Sequence, residues 1–184
     1  IYIEPSGFIL LRVIGALSLF AIVYFVFVKE KVERKDLFRL AICGVFGVAI
    51  NQLLFFEGLN LTTPINAAII MTSNPILVMI MSFLIIKEKI TFRKGLGILL
   101  GIIGASALIL NGGDISLDTN LQLGNLFVLI NATSYGLYLV IVKPMMVKYH
   151  PITVMFYVFS FGLLYVIPFG FSNLAAVNWS IIPT

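Results

Sequence analysis

The residues able to do chemistry are few, and they stand in apolar surroundings. In the run 124–142, Asn131, Ser134, Tyr135 and Tyr138 fall at i, i+3, i+4 and i+7, which is one face of a helix. An amide, a hydroxyl and two phenols can hydrogen-bond a small polar solute and offer it aromatic surface. The same groups can instead tie neighbouring helices together, at roughly 0.6–2 kcal/mol each. Residues 64–86 carry Asn66 and Ser73, seven apart on one face, and then Asn74-Pro75. Proline at 75 has no N–H to give, so the carbonyl near Met71 is freed deep inside the run. That reads as the edge of a solute site or as a packed kink satisfied by Thr72. Asn51 and Gln52 are the only amides of the run 37–59, and either lines a path or bonds a neighbour. Glu57 is the one carboxylate inside an apolar segment, hence the candidate for proton coupling, with an interfacial position as the alternative. Arg12, about 6 Å inside its run, reads first as an anchor that snorkels to the surface and second as a gate or anion contact.

These side chains need a scaffold, and composition says which kind. Of 184 residues, 60% are hydrophobic and 11% charged, too little charge to cover a soluble domain of this size. The apolar residues gather into six runs, 8–28, 37–59, 64–86, 95–110, 124–142 and 151–171, most of them near the 20 residues a helix needs to cross a bilayer. They are apolar at both odd and even positions, which excludes a transmembrane barrel. The fold class expected is an all-α, polytopic helical bundle with six transmembrane helices. The single cysteine, Cys43, excludes an internal disulfide framework, and with one histidine, His150, no zinc spacing exists. No metal and no cofactor is expected.

Charge gives the bundle a direction. The connections 29–39, 87–94 and 143–150 hold 11 of the 12 Lys and Arg residues, whereas 60–63 and 111–123 hold none and the latter carries Asp114 and Asp118. By the positive-inside rule the basic connections are cytoplasmic, in a multi-pass protein of the cell membrane. In those connections Glu30, Glu33, Asp36 and Glu88 read as parts of solvated loops. The +4 net charge therefore marks a membrane side, and nucleic acid is excluded as a partner.

Overlaying 5–25 on 151–171, an offset of 146 residues, matches Pro5 with Pro151, Leu17 with Leu163 and Phe25 with Phe171. The offset spans five helices, so the two copies face opposite ways, as in the inverted repeats of transporters. On that reading the chain is a fragment of a ten-helix protein, cut at both ends.

Residues 51–110, NQLLFFEGLNLTTPINAAIIMTSNPILVMIMSFLIIKEKITFRKGLGILLGIIGASALIL, resemble the EamA-type transporters of the drug/metabolite transporter superfamily. Gln52, Ala67, Ala68, Pro75, Glu88, Gly97 and Gly104 fall on that family's pattern. Arg12 is similar to an arginine early in its second helix, and Gly124–Lys143 resembles the first helix of its second half, with Tyr135 where tryptophan is usual. The resemblance implies ten helices in two inverted halves of five. Residues 1–111 are then a first repeat lacking its first helix, and 124–184 the start of the second.

Three function classes compete. An intramembrane enzyme needs a nucleophile and base within reach, yet no helix holds an Asp and the one His is in a loop. A potassium-type channel would carry a filter sequence, and none is present. A transporter needs a polar, partly aromatic cavity between helices, which these residues offer. The expectation is a carrier of a small metabolite or amino-acid-like solute working by alternating access, its export direction taken from the resemblance. The alternative is a non-transporting membrane subunit or channel-like assembly protein. The partners expected are the solute and the lipid bilayer, with a homodimer also open.

Overall fold

The computed structural model describes residues 4–89, 91–112 and 119–175, and all regular structure among them is helical. Six helices run in chain order: α1 (Pro5–Val28), α2 (Arg34–Leu61), α3 (Pro64–Ile86), α4 (Phe92–Gly112), α5 (Thr119–Lys148) and α6 (Pro151–Ala175). All but α4 are, with 23 to 30 residues each, long and apolar enough to cross a membrane. The α4 segment, expected to be short at 95–110, has 21 residues, about 31 Å of helix. The chain is a multi-pass membrane protein.

Local chemistry sets the ends. Prolines open α1, α3 and α6, where their missing N–H costs nothing and their fixed φ suits a first turn. At α3 the Thr63 hydroxyl also accepts the Asn66 N–H at 3.2 Å, an N-cap. The expected spans are short by about a turn, because polar residues at the ends keep helical geometry once backbone bonding has begun. The largest difference is α5, which starts five residues before Gly124 and carries Pro144 within it. The connection foreseen as 143–150 shrinks to Tyr149-His150, and 29–39 shrinks to 29–33. Asp114, Asp118 and residues 176–184 lie outside the described residues.

Two compact units form. One comprises residues 1–53 and 141–184, the other Leu54–Val140. In the first, α1 and α6 pack antiparallel. Asn173 Nδ2 donates to Ser6 Oγ at 2.7 Å near one end, and the Phe20 and Phe159 rings meet at 5.2 Å further along. At the other end Tyr24 stacks on Phe156 at 4.6 Å. Ile9, Val13, Val154, Val158 and Val166 are fully buried within the unit. Between helices in hydrocarbon the drive is close packing rather than escape from water, so small residues decide how near backbones come. A Cβ at Gly170 would lie 2.7 Å from the Ser6 carbonyl oxygen and 2.8 Å from Leu10 Cβ, and one at Gly162 would lie 2.5 Å from Val48 Cβ. The α1 and α2 contacts of α6 are both set by its glycines.

In the second unit, Gly58 and Gly124 bring α2 against α5, each within 2.9 Å of the other's carbonyl if given a Cβ. Thr62 Oγ1 donates to Asn125 Oδ1 beside them. Further along, a Cβ at Gly136 would meet Val78 N at 3.3 Å and Leu77 C at 3.4 Å. These contacts make α3 and α5 run in the same direction. The small-residue face of α4 finds no such neighbour among the described residues: none lies within 4 Å of a Cβ at Gly97 or Gly104, and Gly101 meets only Ile76 Cδ1 among them, at 3.9 Å.

Candidate functional site

The break in α3 comes first, because backbone chemistry creates it. Pro75 leaves no N–H for the Met71 carbonyl, and the helix divides into Pro64–Met71 and Asn74–Ile86. Thr72 Oγ1 and Ser73 Oγ turn back to donate to the carbonyls of Ile69 and Ile70, both at 2.6 Å. Thr72 is thus spent on Ile69 and not on the carbonyl freed at 71. Asn74 Nδ2 reaches only Met71 Sδ, at 3.9 Å, and Asn74 Oδ1 is buried with no hydrogen-bond partner among the described residues. Asn74 stands ten residues from Pro64, about 15 Å, or mid-depth in a ~30 Å core.

Of the two residues read as sharing a face, Asn66 is in the first turn of α3 and Ser73 is within the break, whose residues 72 and 73 keep right-handed helical φ and ψ.

Along α5, Asn131, Ser134 and Tyr138 are buried as one face, at 1%, 4% and 8% exposure, while Tyr135 at 36% sits on its edge. The rings of Tyr135 and Tyr138 are 6.1 Å apart at 34°. Ser134 lies ten residues from Gly124, about 15 Å, so it matches Asn74 in depth. The stripe does not look at the break, however. With 3.6 residues per turn, Asn131, Ser134 and Tyr138 fall on the side of α5 opposite Gly136, which is where Leu77 and Val78 pack. The unit therefore carries polar groups at mid-depth on two helices, on surfaces turned apart.

The remaining candidates are scattered. Glu57, half-buried in α2, stands four residues, about 6 Å, from the helix end at Leu61. In the other unit Asn51 and Gln52 are half-buried, and Gln52 Oε1 is buried with no hydrogen-bond partner among the described residues. Because α2 continues to Leu61, these amides sit about 14–15 Å from that end, closer to the middle than a helix ending at 59 implied. Arg12 is exposed, its guanidinium 5.9 Å from the Phe8 ring centroid. With α1 starting at Pro5 it lies about 10 Å inside the helix, deeper than expected. Among the described residues no group of His, Cys, Asp or Glu could hold a metal.

One polar cluster escaped the sequence reading. Lys148 Nζ pairs with Glu33 Oε1 and Asp36 Oδ2, both at 2.6 Å, and Lys35 pairs with Glu33 at 2.7 Å. Tyr149, buried, donates its hydroxyl to Asp36 Oδ2 at 2.6 Å and accepts the Glu33 N–H at 3.2 Å. The His150 N–H donates to Glu30 Oε2 at 2.9 Å, and the Tyr24 hydroxyl to the Glu30 carbonyl at 2.6 Å. The hydrogen bonds from Lys148 and then Lys35 hold the Glu33 carboxyl below its ordinary value. These acids are the clasp between the α1–α2 and α5–α6 connections rather than free loop charges. Partners more than 110 residues apart leave no local signal, although the repeated alternation of acids and bases in 29–36 marks one half of it.

Comparison with known proteins agrees with this architecture. Residues 2–110 match the EamA-like transporter family. Across 99% of its length the chain is 27% identical to the uncharacterized transporter YyaM of Bacillus subtilis (strain 168), of which it covers 61%. It is 26% identical to the uncharacterized transporter YetK of the same organism, covering 80% of the chain and 45% of that protein. An uncharacterized transporter of Archaeoglobus fulgidus is 25% identical, over 91% of the chain and 58% of its own length. The chain thus spans at most about three-fifths of the curated relatives it matches, and no solved structure matches it. It belongs to the EamA-like transporter family.

Proposed function

We propose that the whole protein exports a small metabolite or amino-acid-like solute by alternating access, with the mid-depth polar groups of the unit Leu54–Val140 on its path. The observation that carries this reading is Asn74: a buried amide oxygen with no hydrogen-bond partner among the described residues, beside a helix break at about half the bilayer's depth. A group of that kind is costly in hydrocarbon unless a solute or water meets it. The face of Asn131, Ser134 and Tyr138, with Tyr135 at its edge, is a second polar surface at the same depth, turned away from the break on the other side of α5. The basic ends of the helices face the cytoplasm on this reading, and Glu57 and Arg12 lie toward the outer ends as coupling or gating groups.

The test is solute flux by the intact protein in proteoliposomes across a panel of metabolites, with Asn74→Leu, and with Asn131→Leu combined with Tyr138→Phe. Loss of flux or a changed substrate order at unchanged folding supports the path. Unchanged rate and preference in both variants would retire it.

A further inference from the structure

The tripeptide Lys-Glu-Lys occurs twice, at 29–31 and 87–89, each time directly after a helix end. The backbone repeats as well. Lys29 has φ 47° and Lys87 φ 53°, and they are the only non-glycine residues with positive φ among those described. This left-handed position after a helix is where glycine is favoured, because a Cβ there costs roughly 1–2 kcal/mol. In both tripeptides the lysines are exposed and the glutamate half-buried. Each glutamate is also held: Glu30 Oε2 accepts the His150 N–H at 2.9 Å, and Glu88 Oε1 accepts Lys94 Nζ at 2.7 Å. The preceding turns expose large apolar side chains, Phe25, Val26 and Phe27 in one case and Phe83, Leu84 and Ile85 in the other. Those mark the hydrocarbon boundary, so the lysines stand one turn beyond it, at headgroup level.

A cation kept twice at a position that backbone geometry would give to glycine, with its neighbouring acid turned aside, fits a fixed anionic partner outside the protein. We propose that Lys29 and Lys31, joined by the exposed Arg34, and separately Lys87 and Lys89, bind the phosphates of anionic phospholipids. The partner follows from charge complementarity and from depth: the anions concentrated at that level of a bilayer are lipid headgroups. Favourable interaction of a lysine with the last carbonyls of its helix explains one charge per site but not the paired second lysine. This inference does not depend on transport and stands or falls without it.

Spin-labelled phosphatidylglycerol and phosphatidylcholine report it, each in phosphatidylcholine vesicles holding the full-length protein. The wild type should select phosphatidylglycerol several-fold at low salt and lose that selectivity at about 1 M salt, where the screening length is about 3 Å. Lys29→Asn with Lys31→Gln, and separately Lys87→Asn with Lys89→Gln, should each remove about half of that selectivity, since each leaves the other site intact, and the four changes together should abolish it. Asparagine tolerates positive φ, so thermal stability should hold or rise. Selectivity that survives high salt, or is unchanged in both variants, overturns the proposal. The wild-type salt series decides by itself if a variant fails to fold.

Discussion

Leu10 packs on Gly170 as Tyr24 packs on Phe156, and the 146-residue offset exchanges one pair for the other: Tyr24 corresponds to Gly170, and Leu10 to Phe156. Under the same offset Leu17 corresponds to Leu163, one of three identities in the overlay, and it falls midway between the two contacts. Contacts along any antiparallel helix pair interchange in this way, because residue numbers rise along one helix as they fall along the other, so the relationship records how α1 and α6 pack and not where they came from.

The α1–α6 seam predicts opposite outcomes for two glycines. Gly170→Ala forces a Cβ to within 2.7 Å of the Ser6 carbonyl and should destabilise by about 1–3 kcal/mol, with a lower unfolding temperature in detergent. Gly15→Ala, with nothing within 4 Å, should be neutral or stabilise by up to about 1 kcal/mol through helix propensity.

Closing the α3 break should separate stability from transport. Pro75→Ala restores the N–H that Met71 lacks, so thermal stability should rise by about 1–3 kcal/mol. Flux through the intact protein should fall if the break serves the path. Unchanged flux with higher stability would reduce the break to a packed kink.

The clasp predicts a pH effect of definite sign. Glu33 is held below its ordinary value of 4.5, so it binds a proton more readily unfolded than folded. Its stabilising contribution is complete above that ordinary value and is lost as pH falls below it through the folded value. Unfolding temperatures of wild type and Glu33→Gln should differ at pH 7 and converge in acid. Tyr149→Phe, which removes a buried hydroxyl from Asp36 and from the Glu33 N–H, should cost roughly 1 kcal/mol at pH 7.

Orientation has a direct check. With Cys43→Ser as background, single cysteines at Lys35 and Asp114 in the intact protein should label from opposite sides of the membrane. Labelling from one side would overturn the assignment of the basic connections to the cytoplasm.

The spans were legible because apolar length and charge position are properties of consecutive residues, and a bilayer makes both nearly decisive. The α3 break was legible for a like reason, since Pro75 acts on its own helix. The stripe was half legible: phase put Asn131, Ser134 and Tyr138 together and the structure buries them together, but nothing in α5 alone says which neighbour its other side meets. Only Gly136 against Leu77 and Val78 reveals that the stripe turns away from the break. Lys148 with Asp36, and Asn173 with Ser6, join residues more than 100 positions apart, and such pairs exist only once the helices have packed.

The two ends of the seam are closed by different chemistry, backbone against backbone at Gly170 and Ser6 and two stacked rings at Tyr24 and Phe156. Parting the helices at Gly170 breaks a hydrogen bond and a backbone contact at once, whereas the ring end can yield by sliding one ring across the other. Small displacements between α1 and α6 therefore cost more at Gly170 than at Tyr24.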